Sequence, residues 1–130
     1  MSRKENFLSI NVEIYRLHVV VTWETKAEQI AIYAKKHGIT VAKRFIDDFE
    51  ENSREALGLC MKFENDNPDL IVWMERRPKK ASEYATLYHE LYHAVDSISE
   101  SRNLDKEEEA RAYVFEYLVT QANKFFWPLK

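Results

Sequence analysis

The sequence predicts an α+β domain, with a small, mainly antiparallel sheet, one helix carrying two histidines and a C-terminal helix rich in glutamate. Segments 7–22, 56–64 and 69–75 are dense in β-branched and aromatic residues, the composition of strands. Residues 26–36, 83–99 and 105–126 repeat apolar side chains at helical spacing. The chain of 130 residues suits one domain, residues 1–130, with its own hydrophobic core.

The elements follow in order. Ile10, Val12 and Ile14 alternate with polar neighbours, and Tyr15, Leu17, Val19 and Val21 continue the alternation in the opposite phase. That shift means either a bulge or two strands joined by a tight bend. Thr25 with Glu28 has the form of a capping box. Ala27, Ile30, Ala31 and Ala34 then mark a helix, which Gly38 closes after Lys35 and Lys36. Residues 40–54 are ambiguous, although Val41, Phe45, Ile46 and Phe49 stand at roughly helical spacing. The Asn65-Asp66-Asn67-Pro68 turn joins strands 56–64 and 69–75 into a hairpin. Ser82 caps the helix 83–99, and Asp105 with Glu108 opens the last one. There is no internal repeat and no linker.

Composition excludes several classes. Net charge is −3, which leaves no global basic field to hold nucleic acid. Only Gly38 and Gly58 occur, too few for a phosphate-cradling loop. Cys60 is the only cysteine, so neither an intramolecular disulfide nor a Cys-based zinc site can form. The N-terminus starts basic, at Arg3 and Lys4, but lacks the apolar run of a signal peptide. No segment has the length of a membrane span. The expectation is a cytoplasmic protein with no membrane partner.

His89-Glu90-Leu91-Tyr92-His93 is an HExxH sequence on a predicted helix. Residues four apart lie one turn apart on one face, so both imidazoles can reach one metal ion. The intervening glutamate is turned away from that face but can still reach a water at the metal. A zinc ion makes such a water acidic, and a carboxylate can take its proton as it attacks a carbonyl. On the helical wheel Tyr84, Leu87, Tyr88, Leu91, Val95 and Ile98 form the apolar face, while Ser82, Thr86, His89, His93 and Asp96 form the opposite stripe. The last helix has a matching stripe of Glu109, Ala112, Tyr113, Glu116 and Thr120, opposite Val114, Phe115, Leu118, Ala122 and Phe125. Catalytic zinc usually takes three protein ligands. Glu107, Glu108, Glu109 and Glu116 are all available for the third.

HELYHAVD followed by EEARAYVFEYL resembles the minimal gluzincin-type zinc metallopeptidase domains of phage and mobile-element proteins. It is similar, more distantly, to the metallopeptidases that cleave repressors in bacterial stress and mobile-element regulation. The resemblance covers roughly residues 81–120, and residues 1–75 carry none. It implies a zincin-like fold, Zn2+ as cofactor, His89 and His93 as ligands and Glu90 as general base. It makes Glu109, in Glu109-Ala110-Arg111-Ala112, the favoured third ligand. It also implies a peptide or protein substrate lying along an edge strand, a place that segment 69–75 would take. No histidine follows the motif to stabilise an oxyanion, which leaves Tyr113 or Tyr117 for that part.

Blander readings stand beside these. His89, Glu90 and His93 could form a solvated polar stripe. Consecutive glutamates also suit the first turn of any helix. Asp96 is either a partner orienting an imidazole or a solvated residue. Arg76-Arg77-Pro78-Lys79-Lys80 is either a solvated loop or a basic lip to the cleft. Tyr84, Tyr88 and Tyr92 read as core, and Phe125, Phe126 and Trp127 as packing for the C-terminus. The rival function is a non-catalytic zincin-fold interaction or regulatory protein of a phage or mobile element.

Overall fold

In the computed structural model, residues 5–127 are described; the basic start read at Arg3 and Lys4 lies outside them. The fold is α+β, with four helices and a mixed four-stranded sheet in the order β1-β2-β4-β3. β1 (Phe7–Val12) and β2 (Leu17–Trp23) are antiparallel, with Ile10 opposite Val19 and Val12 opposite Leu17. The phase shift is therefore a bend between two strands. A 3-10 turn, Glu13–Tyr15, and left-handed Arg16 (φ 55°) reverse the chain. Both alternations thus reach the same face, where Ile10, Val12, Leu17, Val19 and Val21 are all buried.

α1 (Ala27–Lys36) begins one residue later than the Thr25 capping signal implies. The backbone N–H of Lys26 donates to Gln29 Oε1 at 2.8 Å. The Thr25 hydroxyl is instead engaged with Thr22 at 2.9 Å, and its carbonyl accepts the Trp73 indole N–H. At the far end Gly38 (φ 73°) closes a Schellman motif, with Ile39 N–H on Ala34 O and Gly38 N–H on Lys35 O. The ambiguous stretch resolves into α2 (Phe45–Ser53), which buries Phe45 and Phe49.

β3 (Gly58–Lys62) and β4 (Leu70–Met74) form the expected antiparallel hairpin. Its placement corrects the expectation for segment 69–75. β4 is an interior strand, paired parallel to β2 and antiparallel to β3. Every residue of β4 is buried, as expected of a strand covered on both faces. The edge beside the histidine helix is β3.

α3 (Ala81–Ser101) and α4 (Glu108–Phe126) cover one face of the sheet. Ser82 lies inside α3 and does not cap it; the Glu83 carboxylate accepts the backbone N–H groups of Lys79 and Lys80 at 2.9 and 3.1 Å. Asp105 lies before α4 and accepts a hydrogen bond from the Ser99 hydroxyl. One core, between the sheet and these helices, holds Val19, Val21, Val72, Leu87, Leu91, Ile98, Leu118 and Ala122. The second, on the α1 and α2 side, holds Val20, Ile30, Phe45, Phe49, Phe63 and Ile71.

Candidate metal centre

α3 turns Leu87, Leu91, Ala94, Val95 and Ile98 into the core, which forces His89 and His93 outward. Both are exposed, in agreement with the polar stripe. Their Nε2 atoms stand 3.1 Å apart, with the rings nearly perpendicular at 85°. Two nitrogens each about 2.0–2.1 Å from one tetrahedral zinc are about 3.3 Å apart. The pair is thus close to the spacing that a shared divalent ion requires, and two neutral imidazoles are a suitable donor set for zinc.

Glu90 is turned about a quarter of the way round the helix, toward β3. It is only 7% exposed, closed in by β3 at Gly58 and Cys60. Burial raises the proton affinity of its carboxyl, and the adjacent His89 and His93 offset part of the rise. A carboxylate with raised proton affinity, one residue from an exposed imidazole, is equipped to accept and return a proton. The Cys60 thiol is pushed up to about 12 by burial and by the Glu90 charge. It is therefore a neutral neighbour at ordinary pH and no nucleophile.

The carboxylates expected to supply a third ligand are less well placed. Among the described residues, no group of three His, Cys, Asp or Glu side chains is gathered around one point. α4 runs antiparallel to α3, with Tyr88 hydroxyl donating to Asn123 Oδ1 at 2.7 Å and Tyr92 packing edge-on against Phe115. In this register Glu116 lies level with His93, while Glu109 lies toward the C-terminal end of α3. Their separation of seven positions spans about 10 Å of helix. Glu107, Glu108, Glu109 and Glu116 are all exposed. Asp96 is exposed one turn beyond His93 and, with Glu108 and Arg111, lines a small cleft between the two helices.

Other candidates separate. Tyr117 donates its hydroxyl to Asn11 O on β1, so it is tied away from the histidines. Tyr113 is 71% exposed on the Glu116 stripe. Within the basic loop Arg77 is packed, its guanidinium 5.1–5.3 Å from the rings of Trp23, Phe125 and Phe126, while Arg76, Lys79 and Lys80 are exposed. Of the remaining loop residues, Arg76 and Lys80 line a narrow pocket with Thr86 and Leu57. Gly58, Cys60 and Thr86 around Glu90 were not singled out as site residues by sequence. A glycine inside a strand did carry a signal, since it often marks a close approach of another group.

No helix among the described residues is long and apolar enough to cross a membrane. Comparison of the chain with protein-family models, with curated proteins and with solved structures found no match.

Proposed function

We propose that this chain is a zinc-dependent metallopeptidase with Glu90 as general base. One observation carries the reading: two imidazole nitrogens 3.1 Å apart on the open side of α3, with a buried carboxylate between them in sequence. His89 and His93 would hold the metal as neutral imidazoles. Glu116, by its level on α4, and Glu109, by the family resemblance, compete to complete the set. A zinc ion there would supply Lewis acidity, polarising a peptide carbonyl and making water a competent nucleophile near neutral pH.

Glu90 accepts the proton released as water oxygen bonds to the carbonyl carbon. It returns that proton to the amide nitrogen as the C–N bond breaks, so the carboxylate is regenerated. Its burial serves this cycle, because raised proton affinity makes the carboxylate a better proton acceptor. The unpaired edge of β3 runs beside Glu90 and offers backbone groups to an extended peptide. The substrate is accordingly a peptide or a protein segment able to extend.

The test measures zinc by elemental analysis in the wild type and in Glu109→Ala and Glu116→Ala. The expected result is about one zinc per chain, lost in the variant that lacks the third ligand. Casein hydrolysis is then followed in the wild type and in Glu90→Gln, which should retain zinc and lose cleavage. A chain that takes up no zinc when zinc is supplied, or a Glu90→Gln variant as active as the wild type, defeats the proposal. Either outcome would put a zincin-fold interaction protein in its place.

A further inference from the structure

We infer that Gly58 is a positioning residue for Glu90: the missing side chain on the edge strand is the space in which the glutamate is held. The inference rests on the reading of Glu90 as the base. An ideal Cβ built on Gly58 would stand 2.9 Å from Thr86 Cγ2, 3.0 Å from Glu90 Cγ and 3.2 Å from Glu90 Oε2. Such separations are shorter than carbon–carbon van der Waals contact, which is optimal at about 3.5–4.0 Å. The backbone does not demand glycine here, because Gly38 is the only glycine at positive φ. What demands it is the approach of α3.

The two helix residues would respond differently to an added methyl group. Thr86 is short, and its hydroxyl is engaged with Ser82 O at 3.2 Å. Glu90 is long and has free torsions, so its carboxylate is the group that yields. Its movement would leave the His89–His93 pair in place, because those side chains leave the helix on the exposed side. Cys60, two residues along the same face of β3, continues the row of small residues under the helix. A displacement of about 1 Å at a reacting group can cost on the order of a hundredfold in rate.

Thr86→Ser removes the methyl that meets position 58 and keeps the hydroxyl, so it serves as the background. Gly58→Ala, Glu90→Ala and their combination are made in that background and unfolded with urea without metal. Gly58→Ala should lower the midpoint clearly when Glu90 is present and by less than about half as much when Glu90 is alanine, the mark of direct coupling. Equal losses in both would overturn the inference. Zinc content of Thr86→Ser/Gly58→Ala should match that of Thr86→Ser. Its kcat on casein should fall about tenfold or more with KM unchanged; an unchanged kcat would also overturn the inference. If no variant cleaves casein, the peptidase reading fails, while the unfolding cycle still decides whether Gly58 makes room for Glu90.

Discussion

His89 and His93 meet because four residues make nearly one turn of helix, and both that and their exposure were legible in the sequence. The burial of Glu90 was not legible there. It comes from β3, whose Gly58 lies about thirty residues upstream and whose pairing no helical wheel can show. Each histidine should be individually necessary: His89→Ala and His93→Ala should each lower zinc from one per chain to background in equilibrium dialysis. Retention of full stoichiometry by either would mean that the metal sits elsewhere. Cys60 supports a second prediction. Its thiol is raised from an ordinary 9.0 to about 12, first by burial and then by the Glu90 charge. A raised folded-state value means that the stability contribution is complete below about pH 9 and is lost as pH climbs toward 12. Relative to Cys60→Ala, the wild type should therefore lose stability between about pH 8 and 10.5 in urea unfolding. A difference that stays flat between those two pH values would show that the thiol ionises as freely in the fold as in the open chain.

Three of the four helices were legible as elements, with α2 ambiguous within residues 40–54, but their first turns were not, because tertiary contacts decide which side chain is free to cap. Thr25 was the better intrinsic cap for α1, yet Thr22 holds its hydroxyl and the chain uses Gln29. Strand order was not read correctly: segment 69–75 was expected at the edge, although its composition carried the opposite cue. The unbroken apolar run of β4 signals an interior strand, whereas an edge strand exposed on one face would alternate. The N-terminus of α3 yields a prediction. Hydrogen bonds from the Lys79 and Lys80 backbones hold the Glu83 carboxyl below its ordinary value. A lowered folded-state value means stability present above the ordinary value of 4.5 and lost as pH falls through the folded one. Glu83→Gln should consequently destabilise at pH 7 and converge on the wild type at strongly acid pH, as read by urea midpoints. Parallel curves at all pH values would rule out a charged cap. In the middle of the same helix, Leu91 is fully buried, and Leu91→Ala should cost about 2–5 kcal/mol of unfolding free energy.

At the scale of the molecule, the sheet is the partition on which everything is mounted. β2 and β4 are buried on both faces: Val20 and Ile71 point into the core under α1 and α2, while Val19, Val21, Val72 and Met74 point into the core under α3 and α4. The two cores therefore share their central strands, and neither can be lost without exposing the other. α4 is fastened at several points along its length, by Tyr117 to β1, by Asn123 to Tyr88, and by Phe125 and Phe126 to Trp23 and Arg77. A metal bridging α3 and α4 would hence act on the whole unit and not on a local flap. A ligand that binds only the folded state stabilises it by about 2.7 kcal/mol at a hundred times its Kd. Zinc should raise the thermal midpoint in one cooperative transition, reported alike by far-ultraviolet circular dichroism and by tryptophan fluorescence from Trp23 and Trp73. Chelation should reverse the shift, and His89→Ala should abolish it. Two separated transitions would show that the cores unfold independently. A shift that survives in His89→Ala would place the stabilising metal away from the HExxH turn.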